Sequence, residues 1–143
     1  SRMQSQLTGC WRLVYMSARA DPYCPGNLVL TLDTTAQTIS TTIYRFEAFK
    51  EYEKSGKLFW DAARRRVEFQ YERETAMFGL VRDKDYEQPR KQQQDADDAP
   101  KGQRYDAWYD MIWMDRDVAF ARGCAGCLYL WRRDRDLEME NGI

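Results

Sequence analysis

The sequence predicts an all-β protein: an antiparallel barrel, or a strongly curved sheet, of about eight strands with little helix. Three observations carry that expectation. Apolar runs of strand length recur along the whole chain and are separated by turn-forming residues. Val67–Glu72 alternates strictly, with Val67, Phe69 and Tyr71 on one side and Glu68, Gln70 and Glu72 on the other. Met114–Arg133 reads as two strands around a Gly-containing turn, the pattern of a hairpin with one buried face.

Taken in order, Ser1–Gln6 is a polar lead-in. Leu7–Met16 is a strand in which Trp11, Leu13 and Tyr15 alternate with Arg12, Val14 and Met16. Residues 17–27 hold two prolines, Asp21, Gly26 and Asn27, so they form a loop. Leu28–Leu32 and Thr38–Phe46, rich in Leu, Ile and Thr, are strands joined by a turn at Asp33–Ala36. Glu47–Lys54 is charged and fits either a helical turn or a strand extension, interrupted at Gly56. Lys57–Asp61 and Val67–Glu72 follow, separated by Arg64, Arg65 and Arg66, which read as a solvated turn. Trp108–Trp113, Val118–Ala121 and Leu128–Arg132 complete the set. Val118 and Phe120 are assigned to the buried side of their strand, with Trp11 buried in the first.

Residues 81–104 break the pattern. Six acidic and six basic residues cancel there, and a Gln run with two prolines denies the stretch a core face. It reads as a polar loop inserted into a single domain spanning 1–143. Too little apolar area is available to offset the backbone ordering cost of about 1–2 kcal/mol per residue. A partner surface is therefore expected to hold it, through Arg90, Lys91, Asp95, Asp97 and Asp98.

Composition narrows the chemistry. The chain has 143 residues, 43% apolar and 31% charged, with net charge −1, which suits a globular domain and argues against a nucleic-acid partner. It contains no histidine, which removes Ser-His-Asp and Cys-His triads, His-ligated haem and most catalytic zinc sites. No apolar run approaches the roughly 18–20 residues of a membrane-spanning helix. Aromatics reach 14%, supplying large flat apolar area for a core or for a lipid or pigment cavity. The chain opens on Ser1 without an initiator Met, an apolar signal core or an Arg/Ser-rich leader, and reads as a processed or trimmed product.

Cys124 and Cys127 have CxxC spacing within the hairpin turn; Cys10 and Cys24 lie far from them in sequence. Free or structural thiols lead, ahead of a disulfide or redox pair and of zinc, so no metal is expected. Asp115 and Asp117 flank a turn and suit capping it better than acid–base work.

Leu7-Thr8-Gly9-Cys10-Trp11-Arg12-Leu13-Val14-Tyr15-Met16-Ser17 resembles the opening of the plastid lipid-associated proteins, the plastid fibrillins. Trp113–Val118, Arg122-Gly123, Gly126 and Leu128–Leu130 resemble that family's closing pattern, with Ala119 standing where the family commonly has Arg. The Gly-x-Trp opening is also shared with lipocalins, including the lipocalin domain of violaxanthin de-epoxidase. The resemblance implies a lipocalin-like barrel whose first-strand Trp11 packs across the closed end against a late arginine, Arg122 or Arg132. It implies a non-enzymatic plastid protein at thylakoids or plastoglobules, without covalent cofactor, that associates with lipid, carotenoid, chlorophyll or prenylquinone. A peripheral subunit of a photosystem–antenna complex is the narrower form, peripheral to the membrane. The residues expected to bind ligand or close the barrel are Trp11, Tyr15, Phe69, Tyr71, Phe120 and Arg122. A lipocalin-type enzyme, de-epoxidase-like or pigment-lyase-like, and a structural subunit with a filled barrel are the alternatives.

Overall fold

The computed structural model describes residues 2–18, 27–45, 49–76, 81–82 and 104–143. Along them run α1 (Arg2–Leu7), β1 (Gly9–Met16), β2 (Leu28–Asp33), β3 (Thr38–Arg45), β4 (Phe49–Asp61), β5 (Arg66–Ala76), β6 (Val81–Arg82), β7 (Ala107–Met114), β8 (Val118–Gly123), β9 (Leu128–Arg133) and α2 (Arg135–Glu140). The sheet order is β4-β3-β2-β1-β9-β8-β7-β5-β6, and β4 also pairs with β5. Eight antiparallel strands thus close into a barrel. The two-residue β6 adds a rung beside Glu74 and Thr75.

The turns β2–β3, β4–β5 and β7–β8 lie at one end, here termed the base. The β8–β9 turn lies at the other end, the mouth. Asp33 Oδ1 accepts from the backbone N–H groups of Thr35 and Ala36, and Asp115 Oδ1 from those of Asp117 and Val118. Asp61 Oδ1 accepts from Arg64 N in the β4–β5 turn, so all three basal turns are capped by aspartate.

The polar lead-in is helical. It has no Gly or Pro, and Met3 and Leu7, four apart, share the face that packs onto the base. Helix α2 is also absent from the sequence reading, because only Leu137 is apolar on its inner face. Its N-cap is Asp134, whose Oδ1 accepts from Leu137 N at 3.0 Å while Oδ2 takes the Arg12 guanidinium at 2.9 Å. Burial pushes the Asp134 carboxyl up, but those two donors outweigh it and hold it below its ordinary value. Leu137 covers a second apolar cluster of Cys10, Val29 and Tyr44 on the outside of the barrel.

The interior is filled by pairing small residues with large ones. Ala119 and Ala121 point inward beside their cross-strand partners Trp131 and Tyr129. Phe120 therefore points outward and is half-buried, which corrects its assignment to the buried face. Hydrophobicity alone favoured Phe120. Space decided otherwise, since an inward Phe could not share that level with Trp131.

Two β-bulges change the alternation further. In β1 the register shifts between Leu13 and Tyr15, and in β7 between Met111 and Trp113. Beyond each bulge Met16 and Met114 pack toward the core, while Tyr15 and Trp113 are 53% and 52% exposed. Strict alternation placed Tyr15 inside with Trp11 and Leu13; the bulge reverses it.

The charged segment 49–54 is a strand extension, so β4 runs unbroken for 13 residues. Gly56 does not interrupt it. It sits at a register shift where a Cβ would lie 1.9 Å from the Gln70 carbonyl oxygen. That neighbour is backbone and cannot rotate away. Gly56→Ala is expected to destabilise the fold by about 1–3 kcal/mol, the overpacking range, read as a lower urea midpoint at unchanged m-value. An unchanged midpoint would mean that β4 and β5 separate there freely.

Candidate ligand cavity in the barrel mouth

The base is plugged from within. Trp11 is buried, and its Nε1–H donates to the Leu7 carbonyl at 2.9 Å. The Arg133 guanidinium lies 4.5 Å from the Trp11 ring centroid. Arg133 also donates to the Gln6 carbonyl and stands 3.5 Å from Glu138 Oε1, which accepts from Cys10 N. The space left among Trp11, Val67, Met111 and Ala119 is about 10 Å³, barely one water.

The expected closing pair thus exists with a different arginine. Arg122 and Arg132 face outward and are exposed. Once Tyr129 and Trp131 are recognised as the inward residues of β9, alternation carries Arg133 inward as well.

The mouth half stays open. A cavity of about 230 Å³ remains there. Leu13, Met16, Leu28 and Ile43 form its aliphatic wall. Tyr52, Tyr71, Tyr109 and Tyr129 form the opposite, phenolic wall, with Thr41 and Lys54 between. Of the residues the sequence singled out, only Tyr71 lines it. Phe69 lies inside the barrel beneath it, Trp11 belongs to the plug, and Tyr15, Phe120 and Arg122 are on the outer surface. Arg90, Lys91, Asp95, Asp97 and Asp98 lie outside the described residues.

The phenolic wall is rigid because its rings pack on one another. Tyr109 stacks on Phe69 at 5.1 Å and meets Tyr129 edge-on at 5.3 Å; Tyr129 stacks on Trp131 at 5.8 Å. The Tyr71 hydroxyl is hydrogen bonded to Thr41. Burial raises the Tyr109 phenol well above its ordinary pKa and pushes Tyr129 up to about 12. Both are therefore neutral O–H groups at physiological pH. Lys54 brings the cavity its positive charge, 3.9 Å from Glu74 and within 6 Å of the Tyr52 and Tyr71 rings.

At the rim, Cys127 and Ser17 join the β8–β9 turn to the end of β1. Leu128 N donates to Ser17 Oγ at 2.8 Å, and Ser17 Oγ donates to Cys127 Sγ at 3.6 Å. Burial pushes the Cys127 thiol up, but hydrogen bonds from Ser17, Ala18 and Tyr129 outweigh it and lower its pKa. Cys10, Cys124 and Cys127 are free thiols, and among the described residues no three His, Cys, Asp or Glu side chains converge as a metal site. Cys24 lies outside the described residues.

The polar insertion re-enters the barrel at a built anchor. Glu68 is fully buried on the outer face of β5, and its Oε1 accepts from the backbone N–H groups of Arg104 at 2.7 Å and Tyr105 at 3.1 Å. Arg104 lies over the Phe59 ring at 4.6 Å. The alternation predicted Glu68 to face outward, and it does. That the chain would fold back to cover it was not legible.

No family model matches the chain, and no curated protein does. Among solved structures, an uncharacterized protein from Bacteroides eggerthii is similar at a TM-score of 0.52 and 8% identity, over 90% of this chain and 99% of that one. The likeness is one of fold.

The shielded phenols make a pH prediction. Unfolded tyrosine titrates near 10, whereas Tyr129 in the fold titrates at about 12. The neutral form is favoured in the fold, so this contribution to stability is intact below about pH 10 and is lost as the pH rises towards about 12. Chemical denaturation at successive pH values across that window should show a decline that Tyr129→Phe makes shallower. An equally steep decline in Tyr129→Phe would show that this phenol is not shielded.

Proposed function

We propose that this protein is a non-enzymatic plastid protein that holds an apolar small molecule in the mouth of its barrel, peripheral to thylakoids or plastoglobules. The observation carrying the ligand reading is a cavity of about 230 Å³ with an aliphatic wall facing four tyrosines, above a sealed base. The plastid setting rests on the resemblance of Leu7–Ser17 and of the segment from Trp113 to Leu130.

Size selects among the ligands. Sites that enclose a whole drug-sized molecule run to about 300–1,000 Å³, so this cavity takes a single ring or a chain end. A carotenoid or a chlorophyll macrocycle is too large to enter whole. The head of a prenylquinone suits it: a flat ring to stack on tyrosine faces, and carbonyl oxygens to accept from neutral phenols. Its prenyl tail would leave through the mouth along Met16 and Leu28.

Fluorescence titration with decyl-plastoquinone tests this, alongside chromatography of lipids and pigments extracted from protein purified from its source. Saturable quenching is expected, about five- to tenfold weaker in Tyr109→Phe, which loses one hydrogen bond, and abolished in Leu28→Trp, which fills the cavity. Absence of saturable binding, with no prenylquinone in the extract, would overturn the reading.

The enzyme alternative has one observation in its favour, the charged Lys54 among the lining residues. Turnover of a bound pigment or lipid that Lys54→Met abolishes would establish it. The narrower role, subunit of a photosystem–antenna complex, rests on the insertion, whose return is held by Glu68. Deleting Pro89–Pro100 should leave the barrel folded and weaken assembly. Co-purification of the deletion variant at wild-type occupancy would show that the loop is a passenger.

A further inference from the structure

The outside of the barrel carries a feature that the cavity does not explain. Tyr15, Leu130, Phe120 and Trp113 are successive cross-strand partners on β1, β9, β8 and β7. They form a row perpendicular to the strands. The two bulges widen it at each end, since Val14 and Ile112 are also exposed. Tyr15, Val14, Ile112 and Trp113 are exposed while Leu130 and Phe120 between them are half-buried, so the row forms a continuous apolar strip rather than scattered exposure.

Arginines border the row. Arg122 lies two residues toward the mouth from Phe120, and Arg132 two residues toward the base from Leu130, each about 7 Å away along its strand. Both are exposed, and neither makes a salt bridge among the described residues. Asp110, across from Arg122, is 2.6 Å from Arg66; Asp134, beside Arg132, is 2.9 Å from Arg12, and Asp136 and Glu140 line the same groove as Arg132.

We infer that this wall docks on an anionic bilayer surface. Trp113 and Tyr15 at the two ends are the residue types that settle at headgroup depth, and Val14, Ile112 and Leu130 supply the apolar insertion. Arg122 and Arg132 reach lipid phosphates from either side. A second copy fits poorly. Two-fold pairing about the centre of the row sets Arg122 of one protomer against Arg132 of its partner, like charge on like charge. Six side chains also fall far short of the roughly 20–30 residues per side of a stable protein pair. The inference deepens the membrane-peripheral reading and is independent of the cavity.

The test is flotation of the purified chain with vesicles of phosphatidylcholine alone or containing about 30 mol% phosphatidylglycerol, beside sedimentation velocity without lipid. Wild-type protein should float with the anionic vesicles and much less with the neutral ones. Ile112→Ser/Trp113→Ser should lower the bound fraction about tenfold, and Arg122→Glu/Arg132→Glu should remove the preference for anionic lipid. Thermal melting checks that each variant folds. Titration of the same variants with decyl-plastoquinone should be unchanged, so failure of the docking face and failure of the cavity are read separately. Lack of flotation, equal flotation of the serine variant, or indifference to phosphatidylglycerol overturns the inference. So does a concentration-dependent dimer that the serine variant abolishes, which would assign the face to a second copy.

Discussion

Trp11 and Arg133 form the contact on which the base of the barrel depends. The indole fills the closed end, its N–H holds the last carbonyl of α1, and its face takes the guanidinium of β9. The stacking itself contributes about 0.5–2 kcal/mol. Its structural reach is larger, because Arg133 also touches Gln6 and stands beside Glu138, which in turn accepts from Cys10 N. Both helices and the β1–β9 seam that closes the ring meet at this one side chain. Burial lowers the Arg133 pKa, with the charge of Glu138 opposing the shift. An apolar substitute would keep the packing and leave Glu138 without its cation.

With the base sealed, interior volume governs everything above it. On β8, Trp131 and Tyr129 opposite leave room only for Ala119 and Ala121. Higher up the inward residues change to tyrosines and medium-sized aliphatic side chains, and the filling stops. The cavity is therefore a consequence of where bulk runs out along the barrel axis. Its phenolic wall stays in place because Phe69, Tyr109, Tyr129 and Trp131 support one another ring to ring.

The cavity and the outer row share an origin in the bulge of β1. One extra residue there sends Met16 into the cavity wall and leaves Val14 and Tyr15 outside. The matching bulge in β7 does the same with Met114 inside and Ile112 and Trp113 outside. The outer row and the cavity lining have β1, β9 and β7 in common.

The sequence by itself determined an antiparallel barrel or strongly curved sheet, aspartate capping of the Asp33 and Asp115 turns, the alternation of β5 and the placement of Cys124 and Cys127 in a hairpin turn. Each follows from local rules: strand period, turn chemistry and residue spacing. Tertiary structure decided which face of β8 and β9 turns inward, because that depends on the volume already taken by Trp11. It decided the bulges, which arise from closing the ring and carry no signature in GCWRLVYM or AWYDMIWM. It also chose Arg133 over Arg122 and Arg132 and assembled Tyr52, Tyr71, Tyr109 and Tyr129 from four strands and more than seventy positions of sequence. No local pattern could express that convergence, since only the tertiary fold brings β9 beside β1 and β7 beside β5.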